Sequence, residues 1–193
     1  MEDGELVARA RAGDTDAYRC LMLRYQDIAF RAAFLITGDA AEAEDAAQEG
    51  FVKAFYGLER FRAGSPFRPW LLRIVTNEAS NRRRTAGRQA SVLQRAGLAQ
   101  IAAGHEPSPE ATVLAAEMRG RVLASLAGLA DNDRIVLAYR YLLDMPVDEI
   151  ATILDCPQRT VRSRIARALK RLRTHLTADA NPTIPDRSEH SRA

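Results

Sequence analysis

The side chains best suited to chemistry in this sequence are cations on a helical spacing. From position 158 to 173 the chain reads QRTVRSRIARALKRLR, and no acidic residue interrupts residues 156–178. With Val161 at the centre of a buried stripe, Ile165, Ala168 and Leu172 fall beside it at 100° per residue. Arg159, Ser163, Arg167 and Lys170 fall opposite. Just upstream, PVDEIATILDCP sets Ala151, Asp155 and Val161 at the spacing of a helix-turn-helix. A small residue stands where two helices touch, a turn residue follows, and a β-branched core residue comes next. Asp148 and Glu149 suit the positive end of a first helix, and Pro157 suits the entry to a second. Asp155 holds the turn position often given to glycine, and Asp tolerates left-handed backbone better than most residues. Such a surface carries cations for phosphates and forked donors for guanine edges, as a DNA major groove requires. A solvated Arg-rich face is the competing reading, since short patterns of this kind match by chance.

A second constellation lies in PFRPWLLRIVTNEASNRRR, residues 66–84. With Trp70 on the buried side of a helix, Arg73, Thr76, Asn77, Ser80, Arg83 and Arg84 share the opposite arc, and the preceding loop carries Phe61, Arg62 and Phe67. Aromatic and Arg planes stack on unpaired bases, and a loop pocket can take a base out of the stack. A solvated helix with cations at its negative end fits the same residues. A third group, Glu42, Asp45, Gln48 and Glu49, forms an acidic and amide strip. That strip repels DNA and suits a protein partner with complementary charge, or is simply solvated.

The elements that must position these groups are helical throughout, and no strand is expected. Helices are expected over residues 4–12, from a cap at Asp14 to a break at Gly38 and Asp39, and over 40–58 and 67–84. A loop occupies 60–66. Glycine and proline interrupt residues 85–109, the mark of a linker. Further helices are expected over 111–127, 131–142, 147–154 and 158–176. The expected architecture is all-α: two small helical domains, 1–86 and 110–176, a flexible linker at 87–109, a helix-turn-helix in the second domain, and a disordered tail at 177–193.

The hydrophobic fraction of 47% suffices for packed cores. Net charge is only +3, from 28 Lys and Arg against 25 Asp and Glu, yet acids crowd residues 39–49 while bases cluster at 82–88 and 159–173. That asymmetry assigns one surface to nucleic acid and another to protein. Cys20 and Cys156 have no paired spacing and read as buried small hydrophobes. His105, His175 and His190 form no ligand cluster. No Gly-rich phosphate loop, metal-ligand set or nucleophile–base pair appears, so no catalytic residue, metal or cofactor is expected. Neither a leader-like apolar run nor a membrane-length apolar stretch is present, which predicts a cytoplasmic, reduced protein without membrane insertion.

The order of parts, AEAEDAAQEGFVKAF, then FRPWLLRIVTNEASNRRR, then a linker, then YRYLLDMPVDEIATILDCPQRTVRSRIARALKRLR, resembles the sigma factors of bacterial RNA polymerase, and the two-domain layout resembles their extracytoplasmic-function group. The resemblance spans most of residues 6–176. It implies a non-catalytic subunit that binds core RNA polymerase and promoter DNA and directs transcription initiation. Asp45, Gln48 and Glu49 then match the segment that grips the polymerase clamp helices. Arg62, Phe67, Arg73, Asn77, Asn81, Arg82 and Arg83 match the part that melts and reads the minus-10 element. Arg159, Thr160, Arg162, Ser163, Arg164 and Arg167 match the recognition helix for the minus-35 element. An anti-sigma factor is a further implied partner. Asn81 stands where many members have Asp. Two other readings fit the residues: a stand-alone regulator that binds a palindrome as a dimer, and a helical adaptor whose basic helix binds an acidic protein.

Overall fold

The computed structural model describes residues 1–86, 121–122, 125–126 and 129–180, and every described element is helical. The expected linker at 87–109, most of the expected helix at 111–127 and the tail beyond residue 180 lie outside the described residues.

In the first domain, α1 (Asp3–Arg11) leads into α2 (Thr15–Thr37), α3 (Ala40–Gly57), a single 3-10 turn (Leu58–Arg60) and α4 (Phe67–Ala86). Local chemistry sets the boundaries. The Asp14 carboxylate accepts from the Ala17 N–H at 3.0 Å, and that of Asp39 from the Glu42 N–H at 3.0 Å, so each occupies a helix N-cap. Between α2 and α3 the chain reverses at Gly38, whose φ of 73° is left-handed, and the Gly38 N–H closes on the Phe34 carbonyl at 2.9 Å. The interior is rich in alanine: Ala29, Ala32, Ala33, Ala43, Ala46 and Ala54 are all buried and let α2, α3 and α4 approach closely. Gly50 belongs to the same seam, because a Cβ there would stand 2.6 Å from the Cγ2 of Val75 on α4.

From residue 131, α5 (Asp131–Leu137) runs into a π-helical turn (Ala138–Leu142), followed by α6 (Val147–Ile153) and α7 (Gln158–Ala180). Val136, Tyr139, Met145, Ile150, Val161 and Ala168 make its core. The expected helix at 131–142 changes pitch at Ala138, and the helix expected to end near residue 176 continues to Ala180, four residues into the segment read as tail. The two domains touch: α6 packs across α4.

The cysteines depart from expectation. Cys20 is exposed and Cys156 only partly buried. Position 20 lies on α2 away from the buried face that carries Ala17, Tyr18 and Leu21, so its thiol meets solvent instead of core.

Candidate functional site

The helix-turn-helix is built as its spacing predicts. Ala151 and Val161 are buried where α6 and α7 meet, and the turn between them is fastened by the Cys156 N–H on the Ala151 carbonyl at 3.0 Å. Asp155 has φ 50°, the left-handed conformation that the turn demands. Burial of Val161 and Ala168 turns the other side of α7 outward, so Arg159, Arg162, Ser163 and Arg167 are exposed there, with Thr160 and Arg164 half-buried at its edge. The Arg162 guanidinium donates to Gln158 Oε1 at 3.3 Å, and Arg167 Nε to the Ser163 carbonyl at 3.4 Å, contacts within the helix that leave the forks facing solvent. Arg171 of α7, itself exposed, pairs with buried Asp133 of α5 and so ties α7 to the domain core.

On α4 the sequence-predicted face is divided. Asn77 and Asn81 are exposed, with Arg84 donating to the Asn81 side-chain oxygen. Arg82 turns instead toward α3, where it meets Asp45 at 3.1 Å and Glu42 at 3.4 Å. Arg73 pairs with Asp155 at 2.7 Å and Arg83 with Asp131, both partners belonging to the second domain. Thr76, expected on the outer arc, is only 6% exposed. Its hydroxyl bonds the Leu72 carbonyl at 2.6 Å and shares a hydrogen bond of 2.7 Å with the Tyr139 hydroxyl. Tyr139 is fully buried, and burial first of all pushes its phenol up to about 12, the Thr76 contact acting weakly in the opposite sense.

The loop before α4 corrects one sequence expectation. Arg62 is exposed there, but Phe67 is 2% exposed and its ring lies 5.7 Å from Tyr25, 6.0 Å from Phe61 and 5.6 Å from Trp70. Phe67 opens the helix as part of an aromatic cluster beneath the loop, and its faces are covered by neighbouring rings and not open to a base. The cluster holds the loop's base, so Arg62 at its exposed tip is the loop side chain from the expected set that faces solvent.

The acidic strip of α3 borders a feature that polarity alone does not reveal. Between α2 and α3 runs a groove of about 770 Å³ lined by Met22, Phe30, Gln48, Val52, Phe55 and Tyr56 among others, with Tyr56 77% exposed. Gln48 lies on this groove. Asp45 lies on the α4 side with Arg82, and Glu49 stands 3.5 Å from Lys53, which bridges at 2.7 Å to Glu78. The structure thus separates the three residues expected to act together. Val52, Phe55 and Tyr56 recur at a helical interval off the buried stripe beside Gln48, and that second apolar arc was the sequence signal for the groove. Among the described residues no group of His, Cys, Asp and Glu is arranged to hold a metal ion, and no helix is long and apolar enough to cross a membrane.

Comparison with known proteins fits this layout. The sigma-70 region 2 family matches residues 21–89 and sigma-70 region 4 matches residues 119–172. The RNA polymerase sigma-H factor of Pseudomonas aeruginosa is 36% identical over 173 residues, spanning 86% of this chain and 90% of that protein. The ECF RNA polymerase sigma-E factor of Escherichia coli K12 is 35% identical over 176 residues, spanning 87% and 91%. Among solved structures, CnrH in complex with the cytosolic domain of CnrY superposes with a TM-score of 0.68 at 26% identity, over 92% of this chain and 98% of that one. The sigma factor RpoE of Bartonella quintana, solved with the anti-sigma factor NepR, shares the fold with a TM-score of 0.60 at 22% identity, over 84% and 98%. With region 2 on the domain that carries α4 and region 4 on the domain that carries the helix-turn-helix, the chain belongs to the sigma-70 family of bacterial RNA polymerase sigma factors, in the extracytoplasmic-function group.

Proposed function

We propose that this sigma factor directs transcription initiation by holding three surfaces to three targets, and performs no bond chemistry itself. The exposed face of α7 enters the major groove of the minus-35 element, with Arg159, Arg162, Arg164 and Arg167 as cations and Thr160 and Ser163 as hydroxyl donors. Asn77, Asn81, Arg73, Arg82, Arg83 and the loop residue Arg62 serve the minus-10 element, where amide and guanidinium groups suit unpaired bases and backbone. The apolar groove between α2 and α3, with Gln48 at its border, docks core polymerase. Asp45 and Glu49 act one step removed, holding Arg82 and Lys53 in place. Phe67 is left out of the minus-10 set, as its burial requires.

The observation that carries this reading is the cationic outer face of α7 on a completed helix-turn-helix, present on the same chain as an apolar groove lined by α2 and α3. Two modest DNA-binding modules on one polymerase gain through effective concentration, which fits a net charge of only +3. A sigma role at chromosomal promoters supports a cytoplasmic place of action. An anti-sigma factor that covers one of these surfaces is the matching regulator.

Run-off transcription with purified core polymerase on a library of promoter fragments tests the whole. Transcripts that appear only when the protein is added support the sigma role and report its promoter. Direct DNA binding without transcripts would instead identify a stand-alone regulator, and absence of both with no complex on a sizing column would identify an adaptor.

A further inference from the structure

The cations of α7 can donate hydrogen bonds and cannot accept them. Arg159, Arg162, Arg164, Arg167 and Lys170 therefore suit phosphates and the N7 and O6 acceptors of guanine, and none can receive the amino proton of adenine or cytosine. The two hydroxyls of the set add little to this. Thr160 is half-buried, and Ser163 donates its hydroxyl to the Thr160 carbonyl at 3.0 Å. Across residues 158–180 a single side chain is an amide, Gln158, and an amide both donates and accepts.

Gln158 stands where an amide could reach a base. The Pro157 carbonyl accepts from the Thr160 N–H at 2.8 Å and the Val161 N–H at 3.2 Å, so the helix begins there and Gln158 is its first residue. Side chains on a helix tilt toward its N-terminus, and in a helix-turn-helix the N-terminal residues of the second helix meet the base edges. Gln158 is exposed, and its Oε1 accepts from Arg162 one turn later at 3.3 Å. An exposed contact of this kind stabilises a helix only slightly. It does orient the amide, and a carbonyl oxygen has a second lone pair that the Arg162 contact leaves for a base.

We propose that Gln158 is a specificity-determining residue that reads an adenine in the minus-35 element, its Nε2 donating to adenine N7 and its Oε1 accepting from the N6 amino group. Arg162 holds the amide in that orientation and lowers the side-chain freedom lost on binding. The arginines then select guanine or grip phosphate, and Gln158 supplies the adenine preference that a donor-only surface lacks. This inference rests on the assignment of α7 to the minus-35 element.

Holoenzyme assembled from the full chain and core polymerase tests it on a promoter library randomised through the minus-35 element, with transcripts counted by sequencing. Wild type should favour adenine at one position. Gln158→Ala should reduce that preference about tenfold, the scale of one bidentate pair, and leave preferences elsewhere intact. Gln158→Glu keeps the shape but only accepts, so the same position should change from adenine to cytosine, whose N4 amino group donates. A purely structural role would not move the preferred base. Glu also suits the first turn of a helix, so α7 should still form. The proposal is overturned if wild type shows no adenine preference, if Gln158→Ala keeps it or weakens all sequences equally, or if Gln158→Glu leaves the preferred base unchanged. Arg167→Ala in the same library separates this failure from that of the α7 assignment. If it alters the preference at a position while neither Gln158 variant alters any, only the reading of Gln158 fails. If none of the three alters a preference, α7 does not read the minus-35 element.

Discussion

Arg159 and Arg167 extend from α7 with their forks in solvent, and a guanidinium that forks to a base edge contributes about 1–3 kcal/mol of discrimination. Arg159→Ala and Arg167→Ala should each weaken holoenzyme binding to a cognate minus-35 element by that amount and relax preference at one position, measured by competition among promoter fragments. Arg171→Ala should act differently, because its partner is buried Asp133 and not DNA. Tyr139 carries a pH dependence. Its phenol titrates at about 12 in the folded protein against 10.0 unconstrained, with burial the leading cause, so the folded chain keeps a proton that the unfolded chain releases. Its contribution to stability is complete below pH 10 and is lost as pH rises from 10 toward 12. Tyr18 and Tyr25 shift in the same direction, also chiefly through burial. Thermal melts of Tyr139→Phe should therefore lose less stability across that interval than those of wild type, and equal losses would contradict the burial account.

Helices meet here through small residues and fixed ends. Gly50 on α3 faces Val75 on α4, and a Cβ would approach the Val75 Cγ2 to 2.6 Å and its Cα to 3.3 Å. The side-chain methyl can rotate, but the backbone atom cannot yield without moving α4. Gly50→Ala should therefore destabilise the first domain by about 1–3 kcal/mol, despite the better helix propensity of alanine, as chemical denaturation would report. Asp39→Ala removes the acceptor for the Glu42 N–H at 3.0 Å and should cost about 1 kcal/mol. These two changes act at different places, one on a seam between helices and one on an end.

At the scale of the molecule, the groove and the two cationic faces lie on a pair of domains that also contact one another. Val52, Phe55 and Tyr56 are large apolar side chains left exposed along α3, an arrangement that marks a partner surface in a soluble domain. Phe55→Ser together with Tyr56→Ser should abolish co-elution with core polymerase while the helical signal persists, since neither side chain is fully buried. Retained co-elution would move the docking surface elsewhere. Arg159 and Arg167 substitutions should leave the same co-elution intact, which separates the polymerase surface from the DNA surface by a single column measurement.

The helix boundaries of the first domain, the all-α class, the helix-turn-helix and the cationic face of α7 were legible in the sequence because each rests on local rules. The cap at Asp14, the break at Gly38 and Asp39 and the period around Val161 involve residues within a turn or two of one another. Tertiary structure decided which polar residue of a helical face meets solvent and which meets another element. Phe67 and Phe61 look like loop aromatics in the sequence, yet their rings are taken by Tyr25 and Trp70 from separate helices. Thr76 and Arg73 share an outer arc with Asn77 by periodicity, but Tyr139, 63 residues further on, covers the first and Asp155, 82 residues further on, binds the second. Gln48, Asp45 and Glu49 are close in sequence and diverge because a helix turns about 100° per residue, which sends one to the α2 groove and another to α4. Periodicity gives the direction of a side chain relative to its own helix axis, whereas its partner depends on how helices distant in sequence are docked.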